Sequence, residues 1–160
     1  MTRRLITFAI CILATSLLAL AGCASSPEDE RRRLEMEADI DDILTYELDP
    51  AEYGDPKNCL FTHEFRSYRS LGNRHLLFEG RNNRQWVNVL RGRCAGLDQN
   101  SKFIMKQSVS NRMCDKDRFD VVDHLDSFAL TGARSTCVLG EFKPVTAAQV
   151  EEIENRLEMR

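Results

Sequence analysis

Two hydrophobic periods run along this chain. Leu34, Met36, Ile40, Ile43, Leu44 and Leu48 recur at roughly helical spacing, which predicts an amphipathic helix over residues 27–47. Ser26-Pro27-Glu28-Asp29-Glu30 supplies its start: a capping hydroxyl, a proline at the first helical position and acids at the positive end of the dipole. Asp49-Pro50, then Gly54-Asp55-Pro56, stop the pattern. From Cys59 onward the texture changes to short aromatic and β-branched runs separated by turn residues, as in antiparallel sheet. Strands are predicted at Glu64–Ser70, His75–Glu79, Gln85–Leu90, Phe103–Val109, Phe119–Val122 and Thr136–Phe142. The clearest hairpin is HLLFEGRNNRQWVNVL, where Gly80 to Asn83 tolerate positive φ and Leu76, Phe78, Trp86 and Val87 flank the turn. Thr146-Ala147-Ala148-Gln149 is a capping box that opens a last helix through Val150, Ile153 and Leu157. The fold class expected is mainly β with flanking helices (α+β): a small antiparallel sandwich or barrel-like sheet.

The N-terminal stretch has a different logic. Met1-Thr2-Arg3-Arg4 is basic, and Leu5 to Leu20 carries no charge, the layout of an export signal. The run falls short of the roughly 20 apolar residues needed to span a bilayer. Leu20-Ala21-Gly22-Cys23 resembles the lipobox of bacterial lipoproteins, which implies cleavage before Cys23 and diacylglycerol on its thiol. Each methylene of such an anchor adds about 0.8 kcal/mol of membrane affinity. Ala24, in place of Asp, implies by the same resemblance the periplasmic face of the outer membrane. The expected organisation is thus a signal peptide over 1–22, an acidic tether with its helix over 23–56, and a β-rich domain over 57–160.

Charge is distributed unevenly. The formal net charge is −8 from Cys23 to Asn58, +7 from Leu60 to Arg112 and −4 from Met113 to Arg160. The basic centre is nearly all arginine: Arg66, Arg69, Arg74, Arg81, Arg84, Arg91 and Arg93. Guanidinium groups form the bidentate contacts suited to carboxylate and phosphate, so Arg66, Arg69, Arg81, Arg84, Arg91 and Arg93 are candidate anion-binding residues. An envelope protein or an anionic cell-wall component fits that address as partner; nucleic acid does not. Strand alternation would split these arginines over two faces, and the acidic arm is a competing internal partner.

Of six cysteines, Cys11 lies in the signal and Cys23 in the lipobox, leaving Cys59, Cys94, Cys114 and Cys137. An even set in an exported domain predicts two disulfides, with three pairings open. Intervals of 35, 20 and 23 residues provide no zinc knuckle, so no metal or other cofactor is expected. The segments NCLF, SLGNRHLLFEGRNNRQWVNVLRGRCAGL, MCDKDRFDVV and STCVLGEFKPV resemble a family of small exported proteobacterial domains of unknown function, over roughly Lys57 to Ala148. The resemblance implies a disulfide-bonded β-rich domain and transfers no activity. Together with element order it favours Cys59 with Cys137 and Cys94 with Cys114.

Catalytic signatures are weak. His63, His75 and His124 stand apart from any recognisable nucleophile, and there is no Gly-x-Ser-x-Gly elbow. Asp115, Asp117, Asp120, Asp123 and Asp126 cluster near His124, but Phe119 occupies a position that a calcium loop needs for oxygen. The function expected is therefore a non-catalytic, lipid-anchored binding or structural module. The alternative is a periplasmic enzyme or enzyme accessory using His75 or His124 with carboxylates, which requires a histidine and two carboxylates to meet in one cleft.

Overall fold

The computed structural model describes residues 26–46, 48–106, 111–122 and 135–158. The chain divides into two units between Glu35 and Met36, and the first helix, α1 (Pro27–Thr45), runs through that point. In the first unit the Ser26 hydroxyl accepts a hydrogen bond from the Asp29 amide at 3.1 Å, as the cap signal predicts. Arg31 pairs with Glu28 and Glu35, and Arg32 with Glu28, one helical turn apart on the surface. Such exposed pairs contribute a few tenths of a kcal/mol each.

The second unit is built around a four-stranded antiparallel sheet in the order β2 (Phe65–Ser70), β3 (His75–Gly80), β4 (Gln85–Val89), β9 (Phe142–Val145). Strand alternation gives this sheet two apolar faces. Leu76, Phe78, Trp86 and Phe142 belong to one core with Leu60, Met113, Phe119 and Leu139. Leu77, Val87 and Val145 belong to the other, with Ile40 and Leu44 of α1 and Val150, Ile153 and Leu157 of α3 (Ala147–Glu158). The first core is closed by a three-stranded sheet, β5 (Lys102–Lys106), β7 (Arg118–Val122), β8 (Thr136–Val138), and by a ribbon of β1 (Cys59–Phe61) with β6 (Arg112–Cys114). The result is mainly β with flanking helices, as expected, in several open antiparallel sheets and not a closed barrel. The compact unit starts at Met36, and the second half of α1 buries Ile40 and Leu44 in its helix-side core.

The predicted hairpin is present in register, with Phe78 opposite Trp86 and Glu79 opposite Gln85. Asn82 and Asn83 take φ of 56° and 58°, and the Arg84 amide donates to the Arg81 carbonyl at 3.2 Å, a turn with both central residues left-handed. Gly80 is required there, since a Cβ would lie 2.7 Å from both the Glu64 carbonyl and the Trp86 ring. The capping box also forms: the Thr146 amide donates to Gln149 Oε1 at 2.9 Å and the Gln149 amide to Thr146 Oγ1 at 3.1 Å.

Two expectations are corrected. The single strand expected over Thr136–Phe142 is two strands, separated where Gly140 crosses β4 so closely that a Cβ would stand 2.0 Å from the Val89 carbonyl. Asn88 fastens the crossing, donating from Nδ2 to the Gly140 carbonyl at 2.7 Å and accepting from its amide at 3.0 Å. The disulfides are Cys59–Cys114 and Cys94–Cys137, not Cys59–Cys137 and Cys94–Cys114. The favoured pairing placed Cys59 beside the last strand, but its partner strand is β6, three residues long and too short to register as a hydrophobic run. Cys59 stands opposite Cys114 with Cα atoms 3.9 Å apart, between the pairs tied by the Asp115 amide to the Asn58 carbonyl and the Thr62 amide to the Asn111 carbonyl. Cys94 follows β4 in a loop whose Arg91 amide donates to the Val138 carbonyl, bringing it within reach of Cys137 at a Cα separation of 5.5 Å.

Candidate functional site

The predicted anion-binding arginines separate into two groups. Arg93 grips Glu37 in a two-pronged contact, Nε to Oε1 at 2.7 Å and Nη2 to Oε2 at 2.9 Å, and Arg74 adds a third bond to Oε2 at 3.3 Å. Arg69 reaches Glu154 of α3 and stands 3.6 Å from Glu79, and Arg91 bonds Asp115 at 2.8 Å. Arg69, Arg74, Arg91 and Arg93 are thus committed within the unit. Arg66, Arg81 and Arg84 are exposed and pair with no carboxylate among the described residues. They gather at one end of the sheet, because Arg81 and Arg84 bound the β3–β4 turn and Arg66 lies in the irregularity of β2 between Phe65, opposite Gly80, and Ser67, opposite Glu79.

Glu37 is only 4 % exposed. Burial raises its pKa, but the hydrogen bonds and charges of Arg93 and then Arg74 outweigh that and hold the carboxyl below the ordinary range. Further contacts fasten the same stretch of α1: Arg156 to Asp39 at 2.9 Å and Gln149 Nε2 to the Ile43 carbonyl at 3.1 Å. Residues 37–43 of α1 are therefore clasped by Arg74 just ahead of β3, by Arg93 in the loop after β4, and by α3.

His75 lies under this clasp. It is 2 % exposed, its Nε2 has no hydrogen-bond partner, and Asp41 Oδ1 is 3.8 Å away, beyond hydrogen-bond reach. Desolvation depresses its pKa to about 4; Asp41 and Glu37 oppose this, and Arg74 adds to it. A histidine and two carboxylates do meet here. Glu37 is already occupied by two guanidinium groups, however, and His75 lines none of the described clefts. The arrangement fits a neutral imidazole in a helix-packing contact. His63 stacks on Phe61 at 5.5 Å between centroids, and His124 lies outside the described residues.

The described members of the acidic cluster, Asp115, Asp117 and Asp120, are engaged in local structure. Asp117 accepts from the Cys114 amide at 2.8 Å, closing the turn between β6 and β7, and Asp120 accepts from Thr136 and faces Lys106, both at 2.7 Å. Asp115 holds Arg91; Asp123 and Asp126 lie outside the described residues. Among the described residues no three acidic, histidine or cysteine side chains are grouped to hold a metal.

A polar cleft of about 310 Å³ lies beside the hairpin tip, between its turn and the short helix α2 (Pro50–Tyr53). The turn contributes Asn82, Asn83, Arg84 and Gln85, and α2 contributes Glu52 and Tyr53. Gln85 Oε1 is buried without a hydrogen-bond donor. Sequence reading singled out Arg84 for its charge and Asn82 and Asn83 for their turn; it did not see that α2 folds back against them, since a four-residue helix leaves no periodic signal.

Cys23 and the flanking lipobox lie outside the described residues. Among the described residues no helix is long and apolar enough to cross a membrane.

A family model matches residues 5–158. That span is wider than the Lys57–Ala148 expected from resemblance and takes in the acidic helix and the stretch around Cys23, which were expected to lie outside it. No curated protein and no solved structure matches. A match over nearly the whole chain settles its membership: the protein belongs to the family of unknown function DUF6491.

Proposed function

We propose that this protein is a non-catalytic binding module, exported, cut before Cys23 and held by lipid on that thiol at the periplasmic face of the outer membrane. Its contact surface is the hairpin end that carries Arg66, Arg81 and Arg84. One observation carries the choice of surface: the unit neutralises Arg69, Arg74, Arg91 and Arg93 with its own carboxylates, whereas these three, at one end, have no carboxylate partner among the described residues. Exposed guanidinium groups without internal partners are free to make charge-assisted contacts to an anionic surface of another envelope protein or of the cell wall. The oxidised state of two cysteine pairs supports an oxidising compartment, and the uncharged run ending Leu20-Ala21-Gly22-Cys23 supports the anchor.

The test is in-cell crosslinking followed by identification of the captured species, for the unaltered chain and for Arg66→Ala with Arg81→Ala. Loss of capture in the double variant, with its folding intact, is the expected outcome. Equal capture by both removes the hairpin end as the contact surface. Cys23→Ala in the same cells should abolish labelling with radioactive palmitate and release the protein from the membrane fraction; retention of label would overturn the anchor.

A further inference from the structure

We infer that the outer edge of β5 docks an extended peptide segment in which two acidic residues flank three apolar ones, bound as an added antiparallel strand. The inference goes beyond the hairpin-end reading and uses none of its arginines. Backbone parity shows which groups are on offer. The Val121 amide donates to the Ser135 carbonyl and the Leu139 amide to the Asp117 carbonyl. Alternate residues of β7 therefore bond toward β8, and Arg118, Asp120 and Val122 bond toward β5. Their partners Lys106, Ile104 and Lys102 are used by that pairing. Phe103 and Met105 point N–H and C=O away from β7. Since β5 ends its sheet, these four backbone groups have no strand partner among the described residues.

The other edges of the two larger sheets are closed. At β9, Phe142 exchanges two backbone bonds with Lys57, and Pro144 has no N–H to offer. At β8 the Val138 carbonyl takes the Arg91 amide. β2 loses register between Phe65 and Ser67, an irregularity that blunts an edge. β5 alone keeps unbroken register over five residues. Beside it the rings of Phe103 and Tyr68 meet at 5.2 Å between centroids. Phe65, Tyr68, Phe103 and Met105 all pack on the first core while only partly buried, so an added strand lays alternate side chains over an apolar seam.

The opposite face of β5 names the occupant. It carries Lys102, Ile104 and Lys106, with Ile104 55 % exposed. Lys106 reaches Asp120 at 2.7 Å, and Lys102 pairs with no carboxylate among the described residues. A second copy of β5 laid antiparallel across Ile104 would set Lys102 against Lys106 at both ends, and like charges directly opposite are destabilising. An acid opposite each lysine with an apolar residue opposite Ile104 suits this face, and apolar residues opposite Phe103 and Met105 suit the seam. Strand addition of this kind takes affinity from main-chain bonds and specificity from alternate side chains.

The detergent-solubilised full-length chain, labelled with 15N, is titrated with the peptide acetyl-Ser-Glu-Val-Val-Val-Glu-Ser-amide. The Phe103 and Met105 amides should shift saturably and exchange their hydrogens more slowly, with the amides of β2 unchanged. Lysine in place of both glutamates should weaken binding about tenfold, through two lost cross-strand charge pairs. N-methylation of the first or third valine, whose N–H faces β5, should abolish binding, and N-methylation of the central valine, whose N–H faces away, should leave it intact. Lys102→Glu should weaken the acidic peptide and favour the lysine one. Absence of saturable protection with the acidic peptide, or equal loss on methylating any of the three valines, overturns strand docking. Equal binding of the two peptides overturns the acidic assignment. Protection of the same amides by raising the protein concentration alone overturns the choice of partner in favour of a second copy. Arg66→Ala with Arg81→Ala should bind the acidic peptide normally, so the crosslinking result and this one stand or fall independently.

Discussion

Glu37 shows how one buried carboxylate can decide where a helix goes. Its three hydrogen bonds come from Arg93 and Arg74, residues more than 35 positions away, so the contact has no meaning until the sheet exists. Both guanidinium groups remain about a third exposed, at 33 % and 34 %. The pair therefore falls below the roughly 3–5 kcal/mol lost when a fully buried pair is broken, yet well above an exposed one. Glu37→Gln removes the charge while keeping the shape, and should lower stability by about 2 kcal/mol, read as a lower urea midpoint at unchanged slope. A loss under about 0.5 kcal/mol would class the clasp with ordinary surface pairs. The arginines themselves were legible in the sequence as anion binders. Which anion each takes was not, because a carboxylate within the fold and one outside it present the same chemistry.

At the scale of elements, the second half of α1 is held to β3 by groups that respond to acid in the same sense. His75 is kept neutral by burial, with a pKa depressed from 6.5 to about 4; it faces Asp41 and Glu37 from α1 and neighbours Arg74. Above pH 6.5 neither the folded nor the unfolded chain carries a proton there. Between pH 6.5 and about 4 only the unfolded chain binds one, so stability falls as pH falls through this window and levels off below it. The contribution is about 3 kcal/mol at most. Glu37, whose pKa is lowered in the fold, adds a further loss once pH drops below the ordinary carboxylate range. Urea midpoints at pH 7.5, 6, 5 and 4 should decline monotonically, and His75→Gln should flatten the part of the decline above pH 5. A flat profile in the unaltered chain would mean that His75 is hydrated in solution. The helix periodicity predicted α1 correctly, and its cap with it, because those signals are local; its docking depends on side chains supplied by β3, the loop after β4 and α3.

For the molecule as a whole, the two disulfides interleave along the chain, closing loops of 55 and 43 residues. Each should restrict the unfolded chain by about 4 kcal/mol, so reduction of both should unfold the protein at physiological temperature. Peptide mapping without reduction should recover Cys59 linked to Cys114 and Cys94 linked to Cys137; recovery of Cys59 with Cys137 would contradict the strand register. The sequence by itself determined the class of the fold, the two main helices with their caps, the hairpin with its asparagine turn, and the presence of two bridges. These follow from periodicity, turn chemistry and cysteine parity, all of which act over a few residues or by counting. Tertiary structure alone decided the cysteine partners, the break at Gly140, the division of the arginines into internal and external sets, and the cleft beside Gln85. Each of these requires distant segments to be brought together: β1 finds β6, Gly140 crosses Val89, α1 reaches Arg93, and α2 folds against the hairpin. The physical reason is the same in every case, since burial and pairing are properties of a neighbour in space, and a chain read in order shows only its neighbours in sequence.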